Sequence, residues 1–496
     1  MDVPDEAWHR AKRAELRPSG GARGVGSPTV ADAAADLPRP TPQQLAWHAT
    51  EFAAFVHFGM NTFTDREWGD GTESPALFNP TDFDARQWVR VFKDAGMKQV
   101  ILTAKHHDGF CLWPSAHTEH SVKNSPWRGG KGDVVREVAD ACREAGLRFG
   151  VYLSPWDRHE PSYGDSPRYN EHYRRQLAEL LTNYGPVCEV WWDGACGEGP
   201  NGKRQVYDWP SFTDVVRRFA PQAVIFSDAG PDVRWVGNER GFAGTTNWCT
   251  LRRDEFFPGT PEYKQLTEGH ADGRYWVPAE CDVSIRPGWF YHPAEDALVK
   301  SLGELLDIWY GSVGRGAVLL LNVPADRRGL IHENDAARLR ELRSVLDESF
   351  AVNLTAASGA AGDGAAAPPH APHPGAHLFD GDRDTYWMPM ETSGPWVVEL
   401  SFEAPRTFDR IVLKEHIEDG QRVRSFAVEA EDGNGIIAVA EGTTIGYQRI
   451  LRIDPVTSRR IRFVVRDARA IPAISELELY KSAPREPTAL ARIAPG

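Results

Sequence analysis

The 496-residue chain has no apolar run long enough to cross a bilayer as a helix. It also lacks any block of basic residues: 56 Lys and Arg stand against 70 Asp and Glu, a formal net charge of −14. Such a surface repels phosphate backbones and anionic lipid, so nucleic acid and membranes are set aside as partners. The six cysteines (Cys111, Cys142, Cys188, Cys196, Cys249 and Cys281) include no CxxC pair. A zinc ribbon or redox motif is therefore not expected, and buried free thiols are. Behind Arg10, Lys12, Arg13 and Arg17 no apolar h-region follows. The sequence as written thus carries no secretory signal and reads as cytoplasmic, or as secreted with a signal missing from it. No internal repeat is found.

What the chain does have is tryptophan, 17 residues of it. That is more than core packing usually asks for, and an indole face suits the C–H-rich face of a sugar ring. The plainer alternative is that large proteins bury Trp. The remaining composition is ordinary for a globular protein, and the length implies two or three domains.

From Thr50 onward strands and helices alternate. Strands are expected at 52–59, 99–104, 148–154, 188–194, 223–228 and 317–323, with amphipathic helices at 84–96, 133–146, 169–184, 211–219, 296–310 and 336–349. Near-continuous apolar strands between helices predict a parallel sheet covered on both faces. Polar residues gather just after several of these runs: His57, then His106-His107-Asp108, then Ser154, Asp193 and Asp228. That distribution favours an α/β (β/α)8 TIM-like barrel, whose site sits at the C-terminal ends of its strands. A doubly wound sheet is the rival, but no GxGxxG follows the first strand.

The barrel is placed at 41–354, after an N-terminal extension at 1–40. An Ala-, Gly- and Pro-rich linker follows at 355–375, then an all-β sandwich at 376–481 and a tail at 482–496. If the linker isolates an independent module, cutting there leaves a working barrel.

Asp193 closes an apolar strand, and a carboxylate there must be solvated by a cleft or paired. It either caps the next helix or salt-bridges across the barrel mouth, or it works with His57, His106 and His107 and the aromatics Trp68, Tyr152 and Trp156 at one rim. Donors and acceptors among aromatic faces suit a neutral polyol. A shared metal fits poorly, because adjacent His106 and His107 point to opposite faces of a strand and no HExxH is present. Glycoside hydrolysis needs a second carboxyl, for which Glu198, Glu239 and Glu280 are candidates. The residues alone leave Glu239 and Glu280 unranked.

Five segments occur in order: Phe55-Val56-His57-Phe58-Gly59, Glu67-Trp68, Lys105-His106-His107-Asp108-Gly109-Phe110, Gly150-Val151-Tyr152 and Val190-Trp191-Trp192-Asp193-Gly194. From about Trp47 to Leu346 the chain resembles the α-L-fucosidases of glycoside hydrolase family 29. The resemblance implies a retaining exo-enzyme with Asp193 as nucleophile and no cofactor. It implies that His57, His106, His107, Glu67, Trp68 and Tyr152 contact fucose hydroxyls, that Trp192 belongs with them, and that Phe55 lines the wall for the fucose methyl. Trp235-Val236-Gly237-Asn238-Glu239 and the segment from Glu280 to Trp289 look like the subgroup acting on α-1,3/1,4-linked fucose of branched, Lewis-type glycans. That likeness implies Glu239 as general acid/base, with Glu280, Arg286 and Trp289 lining the pocket.

The run from Leu378 to Trp387 is similar to the opening of discoidin-like (factor 5/8 C-type) modules, which implies glycan binding or simple packing on the barrel, and a structural calcium. The phrase from Glu415 to Arg422 resembles a fucosidase segment, which implies tight packing between the domains. Two other functions remain open: a carbohydrate-binding barrel that has lost catalysis, and a barrel glycosidase for another hexose.

Overall fold

Along each apolar run, alternate side chains enter two different cores. Ala53, Phe55, Ile101, Tyr152, Trp191, Phe226, Val318 and Leu320 form one cluster. Their neighbours Ala54, Val56, Leu102, Val151, Val190, Trp192, Ile225, Leu319 and Leu321 belong to a second and larger one. The period of two in a strand produces this split, and it puts the first set inside a barrel and the second under a shell of helices.

The computed structural model describes residues 36–259, 263–355, 373–432 and 435–486. Its barrel strands are β1 (Phe52–Val56), β2 (Gln99–Lys105), β3 (Arg148–Leu153), β4 (Glu189–Trp191), β5 (Val224–Ser227), β6 (Val233–Trp235), β7 (Ala279–Ser284) and β8 (Val318–Asn322). All neighbouring pairs are parallel, and β8 pairs with β1 to close the ring. Helix α1 (Pro42–His48), held by a Thr41–Gln44 capping box, sends Trp47 into the inner core. The shell helices are α2 (Ala85–Asp94), α3 (Val134–Ala145), α4 (Ser166–Asn183), α5 (Trp209–Phe219), α6 (Leu302–Ser312) and α7 (Glu333–Ser349). Asp84 and Asp133 cap α2 and α3, and Gly146 ends α3 at φ 75°.

The expected alternation fails at two connections. Only residues 228–232 join β5 to β6, too few for a helix. Between β6 and β7 the chain leaves the wall for residues 236–278, an excursion holding a short helix (Tyr263–Glu268) and a two-stranded ribbon, Thr250–Leu251 with Tyr275–Trp276.

The second domain is antiparallel throughout. It comprises β9 (Trp396–Glu415), β10 (Val423–Asp432), β11 (Gly435–Gly442), β12 (Arg449–Ala468) and β13 (Ile474–Tyr480), in the order β11-β10-β12-β9-β13. The segments expected as separate strands at 396–400 and 410–414 are two ends of β9, bent by register shifts between Ser401 and Arg410. The first end of β9 pairs with the far end of β12, which in turn pairs with β10; the second end pairs with the start of β12 and with β13. Both halves feed one core that includes Phe426, Phe463, Ile411 and Leu413.

Of the outlying segments placed from sequence, residues 1–35, 356–372 and 487–496 lie outside the described residues. The start of the tail is docked: Ala483 N–H donates to Ser349 Oγ at 2.9 Å and Arg485 pairs with Glu348 at 3.0 Å. Among the described residues no helix is long and apolar enough to cross a membrane.

Candidate active site at the barrel mouth

Strand β4 stacks its inward side chains Glu189 and Trp191 beneath Asp193, at successively higher levels of the lumen. Trp191 forms the floor, stacked on Phe226 at 4.1 Å and tilted against Phe55 at 5.2 Å. Above it, Asp193 accepts hydrogen bonds from the Ala195 N–H at 2.7 Å and the Tyr152 hydroxyl at 3.1 Å. Burial, then the charge of Asp193, pushes the Tyr152 phenol well above its usual range, so it stays a donor. A Cβ at Gly194 would stand 2.6 Å from both Asp228 Oδ2 and Gly259 N, so only glycine fits the step after Asp193.

Three imidazoles wall the site, and their partners fix what each can offer. The backbone N–H of His57 donates to Asn322 Oδ1 at 3.1 Å, and His57 Nδ1 approaches the same oxygen at 2.8 Å. An atom accepting a backbone N–H is an oxygen, so Nδ1 carries the proton and Nε2 is left as an acceptor. His107 Nδ1 lies 2.7 Å from Ser154 Oγ, whose own hydrogen goes to the Trp156 carbonyl at 2.7 Å. His107 therefore also turns an acceptor Nε2 inward, 3.7 Å from Asp193 Oδ2. His106 differs. The Asn61 amide donates to the Glu67 carbonyl at 3.1 Å and faces His106 Nδ1 at 3.4 Å, which leaves Nε2–H as a donor. Burial depresses all three, His57 to about 4, so the rings are neutral.

Phe55 sits edge-on to His57 at 4.6 Å and 6.2 Å from the Trp289 ring, closing an apolar wall. Trp68 is 58% exposed at the rim, edge-on to His107 and Trp156. Glu67 accepts from the backbone N–H groups of Trp289 (2.9 Å) and Phe290 (3.1 Å) and from His292 Nε2 (2.7 Å), so it organises the Trp289 loop. Glu239 stands in the turn after β6, hydrogen bonded to the Trp289 side chain. Burial first, then the charge of Asp193, raises its pKa against that hydrogen bond.

Three residues placed at the pocket from sequence lie elsewhere. Trp192 points outward from β4 and packs on Trp209 (5.5 Å) and Phe212 (6.4 Å) of α5, because its parity opposes that of Asp193. Glu280 is the second residue of β7, so it sits below the floor and accepts from Trp191 Nε1 at 2.9 Å. Arg286 is fully buried and bound to Asp335 (2.6 Å) and Asp296 (3.0 Å), pinning the loop after β7 to α7.

Conversely, Asn322, Asn61, Ser154 and Asp282 belong to the site without having been singled out as site residues. Asp282 accepts from Trp235 Nε1 at 2.7 Å, and burial together with the nearby Glu239 raises its pKa well above normal. Asn322 gave the same signal as His57, a polar residue ending an apolar strand. Among the described residues no cluster of three or more His, Cys, Asp or Glu side chains is arranged to hold a metal ion. In the second domain, Asp380 and Asp382 accept from the backbone N–H groups of Asp382 and Asp384, both at 3.0 Å.

A parallel barrel with a carboxylate at its mouth, a second carboxyl of raised pKa nearby, neutral imidazoles and aromatic walls defines a hydrolase site for a neutral sugar. The sequence model of the alpha-L-fucosidase family matches residues 40–348, and that of the F5/8 type C domain matches residues 359–477. The chain belongs to the α-L-fucosidases of glycoside hydrolase family 29. It is 47% identical to Alpha-L-fucosidase 1 of Arabidopsis thaliana over 447 residues, 90% of this chain and 88% of that protein. Among solved structures, SpGH29 is 42% identical with a TM-score of 0.85, covering 90% of this chain and 99% of its own. A Ruminococcus gnavus GH29 fucosidase in complex with fucose is 32% identical with a TM-score of 0.82, covering 94% and 98%.

Proposed function

We propose that this α-L-fucosidase retains anomeric configuration and removes terminal α-1,3/1,4-linked fucose from branched, Lewis-type glycans. The observation that carries the reading is the unequal pair of carboxyls, Asp193 bound by two donors and Glu239 raised in pKa by partial desolvation and by the charge of Asp193. Two carboxyls with separated affinities for a proton suit an acid and a nucleophile.

In this mechanism Asp193 Oδ attacks the anomeric carbon while Glu239 gives its proton to the leaving oxygen. Neutralising Asp193 as an ester removes the charge that held up the Glu239 pKa, so Glu239 becomes the base. It then deprotonates water, which attacks the anomeric carbon and frees Asp193. The acceptor Nε2 atoms of His57 and His107 and the donor Nε2–H of His106 suit sugar hydroxyls, and the Phe55 wall suits the methyl group. No cofactor enters these steps.

Asp193→Gly is expected to abolish turnover, with azide then yielding β-fucosyl azide. Glu239→Ala is expected to keep part of its activity on nitrophenyl fucoside, to be accelerated by azide to α-fucosyl azide, and to lose about 10²–10⁴-fold on natural glycans. The same pattern in Glu280→Ala instead would overturn the assignment. Linkage is read from the segments around Glu239 and Trp289. Lewis a and Lewis x trisaccharides should be cleaved far faster than 2′-fucosyllactose, and equal kcat/KM on both rejects that preference.

A further inference from the structure

The excursion that carries Glu239 has little structure of its own, and its hydrogen bonds run both into the barrel and out to the second domain. On the inner side Arg234, fully buried on the outer face of β6, donates to the Leu266 carbonyl at 2.8 Å, to Asn247 Oδ1 at 2.9 Å and to the Val277 carbonyl. Asn247 Nδ2 donates to the Arg315 carbonyl at 2.9 Å, and Arg315 returns a hydrogen bond to the Ala243 carbonyl at 2.6 Å. Asn238 closes the Glu239 turn by donating to the Phe242 carbonyl at 2.9 Å. These hydrogen bonds, joined through the adjacent backbone of Phe242 and Ala243, tie Asn247 to the turn holding Glu239.

On the outer side the same stretch is held by the second domain. Gln421, fully buried, accepts from the Cys249 N–H at 2.7 Å and donates to the Asn247 carbonyl at 3.0 Å. The Asn247 N–H donates to Thr444 Oγ1 at 2.8 Å, and the Arg469 guanidinium lies 4.5 Å over the Trp248 ring. Gln421 is itself rigidly presented, because Glu415 gathers the backbone N–H groups of Arg422, Val423 (2.9 Å) and Gly446 (3.0 Å) around it. An amide that bonds both the Asn247 carbonyl and the Cys249 N–H mimics a paired strand and fixes the register of the segment it meets.

We propose that the second domain is a working part of the acid/base apparatus, with Gln421 and Thr444 as positioning residues that set Glu239 through Asn247. The proposal rests on the assignment of Glu239 made above. Asp193 follows β4 and is held by the Tyr152 hydroxyl and the Ala195 N–H, outside this chain of bonds, so loosening Gln421 disturbs proton donation and leaves the nucleophile in place. A general acid must keep hydrogen-bond reach of the leaving oxygen, and a misplacement of ~1 Å costs on the order of 10²-fold.

The test compares two substrates in the full-length protein: nitrophenyl fucoside, whose leaving group needs no proton, and methyl fucoside, whose leaving group does. Gln421→Leu and Thr444→Val should each lose about 10–100-fold in kcat/KM on methyl fucoside, which reports glycosyl transfer to Asp193, while changing kcat/KM on nitrophenyl fucoside by less than about 3-fold. Thr444→Ser, which keeps the hydroxyl, should restore the parental ratio. Equal losses on both substrates, or no loss on either, in folded protein overturns the proposal. If Gln421→Leu does not fold, Thr444→Val decides by the same comparison. Glu239→Ala separates the two readings. If it lacks the leaving-group dependence, the acid assignment falls. If it has that dependence and Gln421→Leu and Thr444→Val do not, only the positioning role falls.

Discussion

Asn322 joins three parts of the site with one amide. Its oxygen takes both N–H groups of His57, and its nitrogen donates to Ser284 Oγ at 2.9 Å and to the Trp289 carbonyl at 2.8 Å. It thereby fixes a tautomer on β1 and the height of the Trp289 loop. Asn322→Ala should raise KM for nitrophenyl fucoside about 10-fold across the pH range, the worth of one hydrogen bond of ~1.4 kcal/mol. Asn322→Asp should behave differently. A carboxylate still accepts both N–H groups but favours the imidazolium, so the His57 pKa rises from about 4 and Nε2 becomes a donor at lower pH. Its KM defect should be larger at pH 5 than at pH 8, and a pH-independent defect would count against the neutral acceptor.

Among the strands, parity and height do the sorting. Glu189 and Glu280 meet inside the barrel beneath the Trp191 floor, where Glu189 also accepts from Trp47 Nε1 (3.0 Å) and Gln99 Nε2 (2.6 Å). Among the described residues their remaining oxygens have no other donor, so the two carboxyls pair by keeping a proton between them. Burial is the main cause of the upward shift in both, and for Glu280 the charge of Glu189 comes second. Because the folded pKa lies above the unfolded one, the contribution to stability is whole below the usual carboxylate range and is lost as pH rises through the folded value. Glu280→Gln offers Glu189 an N–H donor and Trp191 an acceptor without a second charge. It should fold, keep nitrophenyl fucoside activity within about 3-fold, and resist heat better than the parent at pH 8, with the gap closing toward pH 5. An unchanged slope of melting temperature against pH would reject the shared proton.

At the scale of the molecule the two domains share cores as well as hydrogen bonds. Leu45, Cys249 and Trp276 from the barrel pack with Ile417 and Tyr447, while Val412, Ile450 and Tyr480 join the main barrel core. Arg452 pairs with Asp307 at 2.6 Å, and Arg410 Nε donates to the Tyr310 hydroxyl at 3.1 Å. A barrel ended at residue 354 would expose this apolar surface and leave the backbone of Asn247 and Cys249 unpaired. It should be insoluble or inactive toward nitrophenyl fucoside, and a soluble, fully active truncation would restore the view of an independent module.

The alternation of apolar runs and helices was legible in the sequence, because a buried parallel strand must be apolar on both faces. The placement of polar residues just after those runs was legible as well. The order of the five motifs named the family, since each motif is local. Tertiary structure decided the rest. Trp192 and Asp193 are adjacent in sequence, yet strand parity sends one to the helix shell and the other into the mouth. Glu280 and Glu239 looked equivalent as carboxyls, but height in the lumen separates them, and height depends on where β7 begins. β6 is only three residues long, and its excursion carries no periodic pattern of its own. What holds that excursion is Gln421, more than 170 residues further along the chain. Such a bond forms only once two cores have docked, so no local pattern announces it.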